Sequence, residues 1–220
     1  MAKLHKKLVL ASSSPRRQNL IEAFNPKFAI VHPVSNESPR EISETPEEYV
    51  IRLSRTKAQS VANDIPNSII LGGDTTVVLK DQVLNKPEDR TEAKKMLKSL
   101  RGKIHVVITG ITVLDNKSNR YLSMSKSTSV TMREYDNSEI DSYIEHGNPF
   151  DKAGSYAIQD TSFKPVQKIE GCYLNVVGLP ICEIPSIMSE LGTTTYIKPN
   201  WIGLAQCYNC PLKSENGVIK

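Results

Sequence analysis

The chain has 220 residues, of which 39% are apolar and 24% charged, and its 28 basic and 24 acidic side chains give a net charge of +4. This composition is typical of a folded globular protein and excludes a disordered chain. The length allows one large domain or two closely joined lobes, with a core that needs no disulfide or structural metal. The net charge is too small to indicate nucleic-acid or membrane binding, although it suits an anionic small ligand.

The sequence also indicates the cellular compartment of the protein. No apolar run approaches the roughly 18 residues of a membrane-spanning helix, and residues 8–11 are too few for the core of a signal peptide. We therefore expect a cytoplasmic protein with no membrane partner. Four cysteines lie at positions 172, 182, 207 and 210. Cys207 and Cys210 have the spacing of half a zinc site, but no second pair matches it, so free thiols in a reducing compartment are the better interpretation.

Strand-like and helix-like segments alternate along the chain, which predicts an α/β fold. In the first half we predict a strand at 7–11, a helix at 15–24 capped by Ser14, a strand at 28–34, a helix from the capping box at 45–48 to about 62, and a strand at 69–79. In the second half we predict a helix at 91–101, strands at 104–114 and 128–133, a helix at 138–146, a strand at 171–177, and a helix at 180–191 that Pro185 kinks or restarts. The pattern then fades, so we divide the chain into a domain at 1–192 and a tail at 193–220, to which we assign no role.

The first candidate site lies at residues 12–17, Ser-Ser-Ser-Pro-Arg-Arg, where a strand leads into a helix. Free backbone N–H groups, serine hydroxyls and the guanidiniums of Arg16 and Arg17 converge there, as an anion such as phosphate requires. A capped helix with solvent-facing arginines explains the same residues equally well. Lys57 strengthens the anion interpretation because it falls on the apolar stripe of the next helix, where a lysine either extends its charge to the surface or meets an anion.

A carboxylate inside an apolar strand is the second candidate. Asp74 lies within 69–79 among buried aliphatic residues, and a charge there needs a function or a partner. Lys86 is a further cation nearby in sequence, and an Asp74–Lys86 ion pair is the structural alternative. Gln159 ends the segment 152–159, which we expect to run from a loop into a strand.

Seven segments, in this order, resemble the motifs of the Maf family, septum-formation-like nucleoside triphosphate pyrophosphatases, between about residues 8 and 191. They are LASSSPRR at 10–17, RLSRTKA at 52–58, GDTTVV at 73–78, KP at 86–87, HVVITG at 105–110, DKAGSYAIQ at 151–159 and VVGLP at 176–180. The chain departs from the family in three places. Asp160 replaces a usual glycine, the loop at 35–45 is polar and slightly long, and the tail has no counterpart.

The resemblance implies an elongated mixed sheet whose two lobes flank a nucleotide cleft, as in the related inosine triphosphate pyrophosphatases. It also implies a homodimer and a divalent cation, Mg²⁺ or Mn²⁺. The residues that it assigns by position are Asp74 as general base, Asp74 and Glu37 at the metal and the attacking water, Arg16, Arg17, Lys57 and Lys86 as the triphosphate clamp, and Ser12, Thr75 and Gln159 in the remaining substrate site.

The chemistry of these residues agrees with that assignment. Hydrolysis between the α and β phosphorus atoms needs a water, a base and neutralisation of the leaving pyrophosphate, which four cations and a metal ion would supply. We therefore expect a nucleoside triphosphate diphosphatase with a house-cleaning role and a link to cell division arrest. The alternative is a nucleotide-binding regulator without turnover. Asp74 argues against it, because a carboxylate beside a tetraanion does not help binding.

Three positions in the family separate a branch that acts on dTTP and UTP from one that acts on 7-methyl-GTP. Arg16, Thr75 and Gln159 match the first branch. A primary amide both donates and accepts, so Gln159 could meet O4 and N3–H of thymine or uracil together. The resemblance therefore implies turnover of dTTP, UTP and modified pyrimidine nucleotides, with CTP a poorer substrate.

Overall fold

The computed structural model describes residues 6–34, 37–147, 149–198 and 207. In chain order its main elements are β1 (Lys7–Ala11), α1 (Pro15–Ile21), β2 (Phe24–Asn25), β3 (Ala29–Val31), α2 (Pro46–Ser60), β4 (Ser68–Leu79), β5 (Gln82–Leu84), α3 (Arg90–Leu100), β6 (Ile104–Asp115), β7 (Arg120–Met132), α4 (Asn137–His146), β8 (Val166–Glu170), α5 (Tyr173–Val177), α6 (Ile184–Glu190) and β9 (Tyr196–Ile197). The predicted alternation of strands and helices is confirmed. Pro185 restarts the last helix, as expected, because a separate 3-10 turn at Ile181–Glu183 precedes α6.

Two predicted strands are wrong. The apolar run at 171–177 forms the short helix α5, because Cys172 Sγ accepts from the Asn175 N–H at its start and Gly178 ends it. The buried Asn175 side chain also donates to the Val107 carbonyl and to Thr128 Oγ1, which seats the helix on the sheet. The segment 152–159 contains a 3-10 turn at Ala153–Ser155 and no strand.

Two further strands differ from the prediction because their residues are polar. Strand β7 begins at Arg120, well before the predicted start, and most of its first eight residues are only half buried. Strand β8 was not predicted, since both of its ends and its centre are exposed or half buried at the sheet edge. Pairing with a long neighbouring strand makes these segments extended despite their weak hydrophobic pattern.

A mixed seven-stranded sheet organises the molecule, in the order β3-β1-β4-β6-β7-β8 with β5 also paired to β4. Strands β1 and β5 share one edge of β4. Strand β1 pairs in parallel with residues 68–72, and β5 pairs in antiparallel fashion with residues 77–79. In the described part of the chain, residues 73–76 of β4 have no partner strand on that edge, which leaves a notch with Asp74 inside it.

Two lobes lie on one face of the sheet. Side chains alternate across a strand, so Leu71 and Val77 of β4 lie on this same face. Leu71 belongs to an apolar core built with α1, α5 and α6, and Val77 belongs to a second core built with α3 and α4. Between them the face carries Gly73 and Thr75. The expected α/β fold, a mixed sheet with two lobes on either side of a cleft, is confirmed.

Helix α2 covers the opposite face in unusually close contact. A side chain at Gly72 or Gly110 would collide with α2, because an added Cβ would lie 2.1 Å from the Ser54 carbonyl oxygen or 2.3 Å from the Val50 carbonyl oxygen. The Ser54 hydroxyl hydrogen bonds to Thr112 Oγ1 at 2.7 Å and ties the helix to β6. This close approach places the last turns of α2 directly over the middle of β4.

The described part of the tail returns to the first lobe. Strand β9 pairs in antiparallel fashion with β2, and the Lys198 N–H donates to the Ala23 carbonyl at 2.8 Å. Cys207 is buried in the first-lobe core, whereas Trp201 and Cys210 lie outside the described residues. Within the ranges given above, no helix has the length and apolar character needed to span a membrane.

The buried His105 generates a prediction on acid stability. Its side chain is 2% exposed, and burial lowers its pKa to about 4 from the ordinary 6.5. Between these two values the unfolded chain binds a proton that the folded protein does not, so stability falls as the pH drops from about 6.5 to 4.

We expect the free energy of unfolding of His105→Gln to depend less on pH. Its decrease between neutral pH and pH 4 should be about 3 kcal/mol smaller than that of the wild type. Chemical denaturation at a series of pH values measures this. The matched control is His146→Gln, since His146 is exposed. An unchanged slope in His105→Gln would show that His105 is not held neutral.

Candidate active site

The notch in β4 opens into a cleft of about 480 Å³ between the two lobes. Every site residue predicted from the sequence lines this cleft: Ser12, Arg16, Arg17, Glu37, Lys57, Asp74, Thr75, Lys86 and Gln159. Ser12 and Lys86 follow the ends of β1 and β5, Arg16 and Arg17 lie in the first turn of α1, and Lys57 lies in the last turn of α2. Asp74 and Thr75 are at the centre of β4, Glu37 is in the loop between β3 and α2, and Gln159 is in the segment between α4 and β8. The fold therefore brings together residues that are far apart in the chain.

Asp74, Lys57 and Glu37 form an ionic cluster at the centre of the cleft. The Lys57 ammonium lies 2.6 Å from Asp74 Oδ1 and 2.8 Å from Glu37 Oε1. Asp74 and Lys57 are buried, whereas Glu37 is exposed at the cleft mouth. Partial burial raises the pKa of Glu37, but the nearby ammonium of Lys57 outweighs this effect and the pKa is lowered. The ion-pair partner of Asp74 is thus Lys57. The alternative raised from the sequence, a purely structural ion pair of Asp74 with Lys86, is wrong.

Asp74 and Glu37 are the residues of this cluster that could hold a divalent cation. Mg²⁺ takes oxygen ligands and is usually held by one or two carboxylates, waters and substrate phosphates. Asp74 and Glu37 provide two carboxylates that converge on one cationic nitrogen. Among the described residues, no group of three or more His, Cys, Asp or Glu side chains could hold a metal.

Arg17 holds Thr75 in place from the other face of β4. Its side chain is buried, its Nε donates to the Gly178 carbonyl at 2.8 Å, and its Nη2 donates to Thr75 Oγ1 at 2.8 Å. Burial lowers the pKa of Arg17, although the Asp74 carboxylate opposes this. Thr75 is also hydrogen bonded to Thr109 at 2.9 Å. Two N–H groups of Arg17 thus bind the Gly178 carbonyl and the Thr75 hydroxyl. The predicted role of Arg17 in a triphosphate clamp did not include these contacts within the protein.

Arg16 points to the second lobe. Its Nη1 donates to Asp151 Oδ2 at 2.7 Å, and its Nη2 donates to the Asp151 carbonyl at 2.9 Å. The carboxylate of Asp151 also accepts from Lys152 Nζ. Two neighbouring arginines of α1 therefore bind different parts of the cleft wall.

The remaining predicted residues lie at the cleft with fewer contacts. Ser12 is buried and its hydroxyl accepts from the Ser14 N–H at 3.2 Å. Lys86 is exposed and close enough to contribute to the lowered pKa of Glu37. Gln159 is exposed, and no side-chain hydrogen bond to it occurs within the described ranges.

Asp160, the residue that departs from the family pattern beside Gln159, faces its own turn. Its Oδ1 accepts from the backbone N–H groups of Ser162 and Phe163 at 3.0 and 2.7 Å. The Ser162 hydroxyl donates to the same oxygen. The carboxylate therefore stabilises the turn after Gln159, in the way a short polar side chain commonly does.

Sequence reasoning did not assign four further residues of the cleft wall: Tyr49, Asn85, Asp151 and Lys152. Asn85 Nδ2 donates to the Tyr49 hydroxyl at 3.2 Å, and Thr76 Oγ1 donates to Asn85 Oδ1 at 3.2 Å. The adjacent charged pair Asp151 and Lys152 was a usable signal, because binding residues are often found on loops that a rigid scaffold positions. Tyr49 gave no signal, since an aromatic residue on the apolar face of a helix is usually core.

The cleft combines charged and apolar walls. Its charged end carries the cluster of Asp74, Lys57 and Glu37, with Lys86 beside it. The apolar residues that line the cleft are Val77, Val107, Ile158 and Val176, and Gln159, Arg16 and Asp151 line it as well. A charged group beside apolar walls with a few polar side chains suits a ligand that has an anionic part and a flat, less polar part.

Comparison of the sequence with known proteins identifies the family of this chain. A sequence profile described as Maf-like protein matches residues 7–191. The dTTP/UTP pyrophosphatase of Thermoanaerobacter sp. (strain X514) is 44% identical over 185 residues, which cover 84% of this chain and 96% of the relative.

Two further relatives carry the same name. The dTTP/UTP pyrophosphatase of Dictyoglomus thermophilum is 38% identical over 189 residues, covering 86% of this chain and 98% of its own. That of Dehalococcoides mccartyi (strain ATCC BAA-2266 / KCTC 15142 / 195) is 38% identical over 203 residues, covering 92% and 90%. Because the profile match covers nearly the whole sheet and both lobes, this chain belongs to the Maf family.

Proposed function

We propose that this protein hydrolyses nucleoside triphosphates to the monophosphate and pyrophosphate, with dTTP and UTP as its preferred substrates. The observation that carries the proposal is the convergence of Asp74 and Glu37 on Lys57 in a notch of the sheet edge. The relatives' name, dTTP/UTP pyrophosphatase, supports the same reaction. A binding protein without turnover is not favoured, because the relatives that match most of the chain are named as pyrophosphatases.

Asp74 is the residue placed to take a proton from water. Its carboxylate is held at one oxygen by Lys57, which leaves the other oxygen to orient a water within hydrogen-bond reach. Glu37 shares the same ammonium and supplies a second acceptor at the mouth of the cleft. A divalent cation, Mg²⁺ or Mn²⁺, held by Asp74 and Glu37 would neutralise phosphate charge and lower the pKa of bound water.

The cations neutralise the charge that develops on the leaving pyrophosphate. Lys57 lies beside the proposed base, and the exposed Lys86 stands at the same end of the cleft. Arg17 has donors left after binding Gly178 and Thr75, because a guanidinium carries five N–H groups. Positive groups fixed before the reaction stabilise developing charge without reorganisation.

The apolar walls of the cleft would contact the base and sugar. Gln159 lines the same cleft, and its amide makes no side-chain hydrogen bond to the described residues. An amide that both donates and accepts would meet O4 and N3–H of uracil or thymine. CTP would be a poorer substrate because its N4 donates where O4 accepts. Modified pyrimidine triphosphates that keep O4 and N3–H would be accepted.

We also propose that the protein is a cytoplasmic homodimer with a house-cleaning role linked to cell division arrest. The family resemblance supports these features. Light scattering coupled to gel filtration measures the oligomeric state directly.

The first prediction about the reaction concerns Asp74 as the general base. Asp74→Asn keeps the size of the side chain but removes the proton acceptor, so we expect kcat to fall by about 10²–10⁴-fold. Pyrophosphate release with Mg²⁺ measures it. The matched control is Asp115→Asn, another buried aspartate that pairs with a lysine, Lys6, outside the cleft. The control should lose stability and keep kcat, and a near-normal rate in Asp74→Asn would exclude Asp74 as the base.

The second prediction concerns the charged end. Lys86→Ala should lower kcat/KM about tenfold or more while leaving the melting temperature unchanged, because Lys86 is exposed and a hydrogen bond to a charged group contributes about 1.5–3 kcal/mol. Lys80→Ala, which removes an exposed lysine outside the cleft, is the control. Kinetics unchanged in both variants would contradict a role of Lys86 in binding the triphosphate.

The third prediction concerns the base of the nucleotide. Across a panel of nucleoside triphosphates, dTTP and UTP should give the highest kcat/KM, and Gln159→Glu should reduce their turnover most, because an anionic acceptor repels O4. Asp160→Asn is the control, since its Oδ1 serves its own turn. A preference of the wild type for 7-methyl-GTP or a standard purine would refute the assignment.

A further inference from the structure

We propose that the hydroxyl of Tyr49 is a further substrate-binding group, a hydrogen-bond donor to the pyrophosphate part of the nucleotide, and that Asn85 is the positioning residue that orients it. This inference rests on the proposed function and deepens it. It assigns roles to two residues of the cleft wall that the sequence left unassigned.

Tyr49 has a buried ring and a hydroxyl at the wall of the cleft. The residue is 3% exposed, and its ring lies in an apolar cluster under α2 with Val78 and Ile108. The hydroxyl oxygen accepts from Asn85 Nδ2 at 3.2 Å, and both Tyr49 and Asn85 line the cleft. Since aliphatic side chains enclose the ring, the hydroxyl is the part of Tyr49 that a ligand in the cleft can reach.

The buried hydroxyl of Thr76 fixes the orientation of the Asn85 amide. Thr76 is fully buried, and a buried hydroxyl needs an acceptor for its proton. That acceptor is Asn85 Oδ1, at 3.2 Å, so the Nδ2 of the amide faces Tyr49. An amide nitrogen only donates, which makes the Tyr49 oxygen the acceptor and directs its proton away from Asn85. Within the part of the chain that the structure describes, no acceptor takes this proton.

The surroundings of Tyr49 keep the hydroxyl protonated. Burial raises the pKa of Tyr49, and the carboxylates of Asp74 and Glu37 raise it further, which outweighs the opposing hydrogen bond from Asn85. A neutral hydroxyl whose oxygen already accepts one bond is available as a donor. Phosphate oxygens are charged acceptors, and a hydrogen bond to a charged group is roughly twice as strong as one between neutral groups.

The position of this donor matches the leaving group of the proposed reaction. Side chains two residues apart lie on the same face of a strand, so Thr76 follows Asp74 at about 7 Å along that face of β4. Asn85 bonds to Thr76 and directly precedes Lys86. Hydrolysis beside Asp74 releases pyrophosphate, and Lys86 and the Tyr49 hydroxyl together offer it one cation and one neutral donor.

Asn85 is held from both lobes of the cleft, as a positioning residue requires. Its backbone carbonyl accepts from the Gly154 N–H at 3.1 Å. Gly154 has a φ of +68°, and an added Cβ would lie 3.0 Å from Val77 Cγ2, so the turn at Ala153–Ser155 packs closely against β4. The backbone of Asn85 is thus fixed by this turn, and its side chain by Thr76 and Tyr49.

Tyr49→Phe tests the inference because it removes only the hydroxyl. We expect the Kd for inorganic pyrophosphate, measured by calorimetry with Mg²⁺ present, to rise about tenfold, the size expected when a hydrogen bond to a charged group is lost. The value of kcat/KM for dTTP should fall by a similar factor, and the melting temperature should stay the same since the ring remains. An unchanged Kd would overturn the inference.

The matched control is Tyr135→Phe. The Tyr135 hydroxyl is also part of a buried tyrosine and donates to the Leu97 carbonyl at 2.7 Å, outside the cleft. This variant should have a lower melting temperature and an unchanged Kd for pyrophosphate. If it weakened pyrophosphate binding as much as Tyr49→Phe, the loss would come from general destabilisation and the inference would be overturned.

Asn85→Asp tests the positioning role. The side chain keeps its size and still accepts from Thr76, but its second oxygen accepts where the amide nitrogen donated, so it would take the proton of Tyr49. Its negative charge also repels pyrophosphate. In a Tyr49→Phe background only this repulsion remains, so we expect Asn85→Asp to raise the Kd by a smaller factor there than in the wild type. Equal factors in the two backgrounds would overturn the role of Asn85.

The binding measurements separate this inference from the proposed reaction, because they need no turnover. If the wild type released no pyrophosphate from any nucleoside triphosphate but bound pyrophosphate about tenfold more tightly than Tyr49→Phe, the proposed function would fail and the inference would stand. If the wild type hydrolysed dTTP and the two proteins bound pyrophosphate equally, the reverse would hold. A wild type that bound no pyrophosphate would overturn the inference.

Discussion

The buried ion pair between Lys57 and Asp74 is the interaction on which the site depends. Removing two charges from water is expensive, and the cost is offset only when the geometry is good and further hydrogen bonds are made. Here the pair is 2.6 Å apart, and Glu37 adds a second carboxylate to the same ammonium. The pair can form because α2 packs on the sheet at Gly72 and Gly110, where any side chain would push the helix away. The backbone contact therefore sets the electrostatics of the cleft.

The shape of the sheet decides where this chemistry is accessible. Strands β1 and β5 both pair with the same edge of β4 and leave four residues between them. A side chain in the middle of a long strand is normally enclosed by neighbouring strands, whereas here the missing pairing opens the edge of the sheet beside Asp74. Each lobe then supplies one wall, so the residues that line the cleft come from distant parts of the chain. Binding a nucleotide across the notch would hold the lobes together, because bound ligand stabilises the conformation that it contacts.

Much of this arrangement could be predicted from the sequence, because local patterns carry it. The serine and proline before Arg16 mark a helix start, Lys57 falls on an apolar helix stripe, and Asp74 interrupts an apolar strand. Each is anomalous in its own segment. The bond between Arg16 and Asp151 could not be predicted, since it joins residues 135 positions apart and nothing in either segment indicates its partner.

The prediction of α5 as a strand failed for a different reason. A short and mostly apolar segment such as 171–177 fits a buried strand and a buried helix equally well. The deciding contacts are the side-chain hydrogen bonds of Asn175 to β6 and β7, which only the assembled sheet provides. The same holds for Arg17, whose position in the predicted anion site gave no sign of its hydrogen bond to Thr75.

The alternation of side chains along β4 has a consequence for how this protein can change over time. Asp74 and Thr75 are neighbours in sequence, yet Asp74 faces Lys57 of α2 and Thr75 faces Arg17. The two side chains therefore make their contacts on opposite faces of the strand. Strand β4 pairs with β6 without interruption from Ile69 to Val78, which leaves no irregularity where an extra residue could be absorbed. Deleting or inserting a single codon in this strand would exchange the faces of every residue beyond it and abolish the site, whereas the loops around the lobes could gain or lose residues freely. Length variation among descendants of this chain should therefore accumulate in the loops and be absent from the strand.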